Sequence, residues 1–343
     1  MEGTGQNRWA HAPSKLTIDL SAVVANYQTL AKMCSSAECA AVVKANAYGL
    51  GAAPIVKALA GAGCRTFFVA TLDEGIELRQ ITQHTIYVLN GISCEDASEY
   101  RAHTLRPVLN DLDQIDIWRR HSDDTPAPPA AIHVDTGMNR LGLSQTLLEQ
   151  IGKWEKLYDG LNVSLLMSHL ACADESYDEK NFEQLQSFHR IIATSKDIPA
   201  SLSASSGIFL GPDWHFDLVR PGFALYGGNP QQTAPNPLEP VVQLSAKILQ
   251  CRAVAKGETV GYGGCYKFNT DKRIATIAVG YADGFFRSLS CCGKVFIGKI
   301  PLPVLGRVSM DLIAVDITGV DGVKASDWVD LVGPYQDVDA LAA

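Results

Sequence analysis

The sequence predicts an α/β chain: a (β/α)8 TIM-like barrel followed by a mainly β C-terminal domain. Three observations predict it. Apolar runs without clean alternation recur between residues 14 and 230, as in parallel strands buried on both faces. Stretches of helical period lie between most of these runs, which is the alternation of a parallel α/β sheet. Near residue 229 the pattern changes to short strands with Gly turns, and no helix is expected there until the end.

The barrel strands are expected at 39–43, 66–70, 85–89, 105–108, 130–134, 163–168, 201–204 and 217–219. Helical patterns fall at 54–62, 73–81, 111–119, 144–157 and 179–195. Eight strands suit a closed barrel, and a doubly wound open sheet is the competitor. Asn229-Pro230, Pro235, Pro237 and Pro240 read as a proline-rich hinge. Beyond it, strands are expected at 242–250, 259–262, 274–279, 294–296, 302–304, 312–316 and 328–332. The barrel domain is thus expected over 14–230 and the β domain over 236–343, with residues 1–13 packing on the latter.

Composition narrows the function classes. The chain has 343 residues, 47% hydrophobic and 19% charged. That is ample for a large core and excludes disorder over most of the length. The net charge of −8 argues against a nucleic-acid binder, which needs cationic contacts to phosphates. No apolar run approaches the roughly 18 residues of a membrane span, and the first residues show no apolar core, so no secretory leader is expected. Nine cysteines include no CxxC pair, and Cys291 and Cys292 are adjacent. Reduced thiols in a cytoplasm are the expectation. The eight histidines form no HExxH, so no metal is expected.

Chemistry in a parallel barrel sits at the carboxyl ends of the strands. Lys44 directly follows the first strand, beside Tyr48 and Gly49. Desolvation there would lower a lysine's pKa and favour it as nucleophile or base; the alternative is an ammonium that snorkels to water. Arg140 lies in the loop after the fifth strand, and His169 ends the sixth. Each alone also suits an ion pair or a hydrogen-bonded structural histidine. The run Ser203, Ser205, Ser206 and Gly207 ends the seventh strand, and Arg220 and Gly222 follow the eighth. Barrels often place phosphate sites there. A strand-end lysine with a phosphate cradle is what a pyridoxal phosphate enzyme needs.

Longer strings carry a resemblance. Val43-Lys44-Ala45-Asn46-Ala47-Tyr48-Gly49 resembles the cofactor-lysine motif of bacterial alanine racemases. The likeness continues through Val134-Asp135-Thr136-Gly137-Met138, Arg140-Leu141-Gly142, Ser168-His169-Leu170 and Val219-Arg220-Pro221-Gly222. Later it includes Gly261-Tyr262-Gly263, Val279-Gly280-Tyr281-Ala282-Asp283-Gly284 and Gly306-Arg307-Val308-Ser309-Met310-Asp311. These motifs stand in the family's order from about residue 15 to 316.

The resemblance implies a pyridoxal 5'-phosphate enzyme that interconverts L-alanine and D-alanine, supplying D-alanine for peptidoglycan in the cytoplasm. Lys44 would hold the cofactor covalently and then act as one of two bases. Tyr262 would be the other, reaching the site from a second subunit of a homodimer. Two bases are needed because racemisation removes a proton on one face of Cα and returns it on the other. His169 would contact that tyrosine at the cofactor, and Arg220 would bond the pyridine nitrogen. A guanidinium cannot readily give up a proton, so it would disfavour ring protonation. Tyr48, Ser205, Gly222 and Phe223 would hold the phosphate. Arg140 and Met310 would meet the substrate carboxylate, and Tyr281 and Asp311 would narrow the mouth of the site.

Some positions depart from the family. Ala204 stands where Asn often precedes the phosphate serine, and His133 stands where some relatives carry a modified lysine. Relatives usually continue beyond the position of Ala343 through a segment with another phosphate-binding tyrosine. Three other readings share parts of the scaffold. One is a racemase of broader substrate range. Another is a decarboxylase of the same fold type, which wants an acidic partner for the ring nitrogen. The third is a cofactor carrier, which needs neither Tyr262 nor a β domain.

Overall fold

The computed structural model describes residues 11–342 except 35, 122–126, 153–154, 194, 196 and 232–233. The chain forms two compact units: Leu20–Val241, and Val242–Ala343 with the residues up to Asp19.

The first unit is a closed parallel barrel. Its first strand is Glu38–Cys39 continued as Ala41–Val42. Next come Thr66–Val69, Thr85–Val88, Arg106–Leu109, Pro129–His133, Asn162–Met167, Ala200–Ser201 and Leu218–Val219. Parallel pairing runs in chain order from Ala41–Val42 to Ala200–Ser201. The eighth strand then pairs in parallel with Glu38–Cys39. Arg220 N–H donates to Ser203 O at 2.9 Å and Asp217 N–H to Ala200 O at 3.0 Å, linking it to the seventh. An open sheet is therefore excluded. Inside the ring, Phe68, Tyr87, Val108, Leu165, Met167 and Leu218 form one apolar cluster.

Helices cover the outside. Local chemistry starts several of them: Asp111, Ser144 and Asp178 each accept a backbone N–H in the first turn. The stretch expected as one helix over 144–157 ends its first piece at Gly152, in a left-handed cap. A further helix, Leu20–Met33, precedes the first strand. Its buried Asn26 donates to Leu225 O and Glu239 O and accepts from Glu239 N–H at 2.7 Å. This clamp holds the proline-rich segment against the barrel, so the described part of 229–240 is not a free hinge. The unit ends at Val241.

The second unit is a β structure organised by one long strand, Val242–Val254. Along its length that strand pairs antiparallel with Ser14–Ile18, Lys272–Ile277 and Trp328–Val332. Lys294–Ile297, Ile300–Leu305 and Ile313–Asp316 complete the sheet. Ile248, Ile277, Val295, Leu302, Val315 and Leu331 are buried in its core. Ser14–Ile18 belongs here rather than opening the barrel, because its ladder partners are residues 242–246. Of the segment expected to pack on this unit, residues 1–10 lie outside the described residues. Pro13 O does accept from Lys247 N–H at 2.8 Å. A short helix, Val338–Ala342, comes last. All nine cysteines are free thiols. Among the described residues no helix is long and apolar enough to cross a membrane.

Candidate active site

Lys44 stands where the first barrel strand breaks into a turn. The next four residues, Ala45, Asn46, Ala47 and Tyr48, hold φ of 53, 52, 54 and 57°. Each non-glycine residue in this region costs roughly 1–2 kcal/mol, so neighbours must hold the turn. Ala45 N–H donates to Glu74 Oε1 at 2.6 Å. Asn46 Oδ1 accepts from Ala52 N–H at 2.8 Å. Gly49, with φ of 85°, takes the chain out of the turn. Tyr48 lies against Tyr226, ring centroids 4.8 Å apart, and Tyr226 Oη donates to Val42 O.

Arg220 closes the floor. It is only 3% exposed, and its guanidinium donates to Ser201 Oγ, to Ser168 O at 2.6 Å and to Leu202 O at 3.3 Å. Burial pulls its pKa down to about 9, so the group remains a cation at neutral pH. His169 Nδ1 lies 3.5 Å from Arg220 Nη2. Burial, then the cations of Arg220 and Arg140, push His169 down to about 3. Burial and Arg220 likewise push His133 down to about 4, against the opposing pull of Asp135. Both imidazoles are therefore neutral at pH 7. His133 Nδ1 is paired with Asn110 Oδ1 at 2.8 Å.

Arg140 is presented by a loop shaped by one carboxylate. Asp135 Oδ1 accepts from Gly137 and Met138 N–H at 2.9 Å each, and Asp135 Oδ2 from Asn139 N–H at 2.9 Å. Gly142 returns the chain at φ +106°, where a Cβ would fall 2.9 Å from Asp135 N.

Ser205 and Gly222 form a small cradle. Ser205 Oγ accepts from Gly222 N–H at 3.0 Å and Ala224 N–H at 3.1 Å, which leaves its own hydrogen to donate. A Cβ on Gly222 would fall 2.3 Å from Tyr48 Oη, so only glycine leaves room there.

These side chains meet in one cavity of about 460 Å³ at the carboxyl ends of the strands. Lys44, Tyr48, Arg140, His169, Ser205, Arg220, Gly222 and Phe223, all expected from the sequence, line it. Lys44, Arg140 and Arg220 make the wall cationic, as an anionic ligand requires. Asn90 and Asp174 also line it, and neither was anticipated as a site residue. Glu74 was missed as well. Its spacing from Thr71, T-x-x-E, signals a helix cap but not the reach to Ala45.

The other four expected residues lie in the β unit. Tyr262 sits in a turn between Gly261 and Gly263, both at positive φ, and is 72% exposed. Tyr281 N–H donates to Ser309 O and Ala282 N–H to Met310 O, each at 3.0 Å. Gly280 permits this approach, since a Cβ there would strike Met310 O at 2.2 Å. Tyr281, Met310 and Asp311 are thus neighbours on one exposed edge.

The likeness to known proteins spans both units. The family model described as "Alanine racemase, N-terminal domain" matches residues 18–230, and "Alanine racemase, C-terminal domain" matches 241–343. An alanine racemase of Acidiphilium cryptum is 49% identical over 330 residues, covering 96% of this chain and 92% of that protein. A protein of Agrobacterium fabrum named as a catabolic alanine racemase is 44% identical, covering 100% of this chain and 89% of the relative. The crystal structure of alanine racemase from Bartonella henselae with covalently bound pyridoxal phosphate superposes with a TM-score of 0.93 at 40% identity. It covers 96% of this chain and 93% of that one. With the two family models matched over residues 18–230 and 241–343 and a strand-end lysine at the centre of the site, the chain belongs to the alanine racemase family.

Proposed function

We propose that the chain interconverts L-alanine and D-alanine with pyridoxal 5'-phosphate held at Lys44, by proton transfer between two bases. One observation carries the reading: Lys44, Arg220 and the Ser205–Gly222 cradle line a single cationic cavity. The residues fit the cofactor. Ser205 keeps a donor for a phosphate oxygen, and Gly222 leaves the space that a Cβ would fill beside Tyr48. Phe223 lines the same end. Bound there, pyridoxal phosphate supplies an electron sink conjugated with Cα.

The protein's own part is positioning and proton transfer. Arg140 offers a cation to the substrate carboxylate. Lys44 takes or returns the Cα proton on one face. Tyr262 of a second copy of the chain serves the opposite face, with Met310, Tyr281 and Asp311 of that copy narrowing the mouth. A phenol has a reference pKa of about 10, and His169, neutral at pH 7, is too weak a base to take its proton and would only orient it through a hydrogen bond. Arg220, fixed by Ser201 and two backbone carbonyls, would present a cation to the ring nitrogen of the bound cofactor without delivering a proton. This limits charge on the sink and favours return of the proton to Cα over side reactions.

The enzyme works as a homodimer with shared sites in the cytoplasm, and its D-alanine feeds peptidoglycan. A catabolic direction is the second reading, favoured by the name of the Agrobacterium fabrum relative; the same chemistry serves both, because a racemase equilibrates the two enantiomers.

The decisive experiment mixes two inactive chains, Lys44→Ala and Tyr262→Phe, after scoring a panel of L-amino acids for D-product with and without added cofactor. Each heterodimer carries one site with both defects and one with neither, so partial activity returns. Heterodimers that form and recover nothing would overturn the shared site. Product from larger amino acids at the alanine rate would replace the substrate assignment with a broader one.

A further inference from the structure

We infer that Glu74 is a positioning residue for Lys44. The inference rests on the racemase reading above only for what Lys44 does, not for how it is held.

Glu74 belongs to the helix Leu72–Arg79 that follows the second barrel strand. It first does the ordinary work of a helix start. Thr71 Oγ1 accepts from Glu74 N–H at 3.3 Å, and Glu74 Oε2 accepts from Thr71 N–H at 3.3 Å and Ala70 N–H at 2.7 Å. A capping box needs only one carboxylate oxygen. The second, Oε1, crosses to the neighbouring loop and accepts from Ala45 N–H at 2.6 Å. Ala45 follows Lys44 directly and is the first of the four left-handed residues. One carboxylate thus ties the loop after strand one to the loop after strand two, at the residue where the chain leaves the strand for the strained turn.

The consequence concerns orientation. Without the Glu74 bond, the first left-handed peptide loses its outside partner. The turn then relaxes toward ordinary backbone angles, and the Cα–Cβ vector of Lys44 swings with it. A displacement of this kind weakens a catalytic group without removing it. Glu74→Gln keeps the volume of the side chain but cannot offer an acceptor oxygen to both loops at once. Thr71→Ala is the control, because it removes half of the capping box and leaves Oε1 free to hold Ala45.

The test has two readouts. In the chain without cofactor, hydrogen exchange of the segment 45–51 is expected to speed up roughly tenfold or more in Glu74→Gln, the effect of losing one charge-assisted hydrogen bond. Thr71→Ala should leave that segment unchanged while lowering the melting temperature. With pyridoxal phosphate added, kcat in Glu74→Gln is expected to fall about tenfold with KM within about twofold. The pH midpoint of borohydride-trapped cofactor on Lys44 should also move. A variant that melts earlier, yet keeps native exchange over 45–51 and native kcat, would reduce Glu74 to a helix cap. If the native protein shows no racemisation, the function proposed above fails, and the exchange measurement still decides the role of Glu74.

Discussion

The two units hold candidate residues differently, although Tyr48 and Phe223 of the barrel are 40% and 43% exposed. In the barrel, Arg220 is 3% exposed and bonded to three groups, and His169, His133 and Tyr48 stand in fixed neighbourhoods. In the β unit, Tyr262 is 72% exposed, and Tyr281 and Met310 are 44% and 54% exposed. The barrel builds its site from long-range hydrogen bonds inside one chain. The β unit offers exposed side chains beside glycines at positive φ. A group held by many partners is costly to change for folding. A group on an exposed turn is cheap for folding, whatever it does for function.

The largest expected effect sharpens the functional side of this contrast. Lys44→Ala should cut racemisation on the order of 10³-fold or more and abolish cofactor trapped at that position by mass. Its melting temperature should stay near native, because Lys44 is only half-buried. Native-rate turnover by this variant would remove Lys44 from the chemistry.

Arg220→Met tests the folding side. It leaves Ser201 Oγ and the Ser168 and Leu202 carbonyls without their donor, at a cost of about 2–4 kcal/mol. Urea unfolding of the chain without cofactor measures this. A loss below about 0.5 kcal/mol would show that the barrel floor tolerates the vacancy, and the contrast with the β unit would collapse.

The third prediction uses pH. His133 and His169 titrate near 4 and 3 in the folded chain, against about 6.5 when unfolded. Between these values the unfolded chain binds protons that the native chain refuses. The contribution to stability is therefore full above about pH 6.5 and is lost as the pH falls toward 4 and 3. The slope is at most about 1.4 kcal/mol per pH unit for each histidine. Unfolding curves between about pH 4.5 and 7 should show His133→Gln with a shallower dependence than the native chain. Identical slopes would place His133 outside the titration.

The smallest effect is expected in the β unit. Tyr262→Phe should change stability by no more than about 0.5 kcal/mol, even as it removes the proposed second base. Calorimetry on the variant reads this directly. A loss above about 1 kcal/mol would mean that the phenol has a structural partner, and the two units would differ less than their exposures suggest.

Much of the site was legible because strand ends are legible. Lys44, His169 and Arg220 each follow an apolar run, and parallel barrels gather such positions at one mouth. The family motifs then assigned roles that spacing alone left open. Helix Leu20–Met33 was missed although its buried Ala22, Val23, Asn26, Tyr27 and Leu30 recur at helical spacing, because an asparagine and small residues interrupt its apolar face. The expected helix over 144–157 failed at Gly152, where a left-handed cap overrides the continuing apolar period. The seventh and eighth strands, expected at 201–204 and 217–219, form as only two residues each, Ala200–Ser201 and Leu218–Val219.

What the sequence by itself determined is whatever depends on near neighbours along the chain. That includes the order of strands and helices, the caps at Thr71, Asp111, Ser144 and Asp178, and the inventory of reactive groups at strand ends. What only the tertiary structure decided depends on residues far apart in the chain. The eighth strand returns to Glu38–Cys39 and closes the ring. Asn26 claims Glu239 across 213 positions and moves the unit boundary to Val241. Glu74 reaches Ala45 across 29 positions. The physical reason is common to all three. A backbone N–H or carbonyl, whether buried or at the surface like that of Ala45, takes the partner that the folded geometry brings to it rather than one set by its neighbours in the chain.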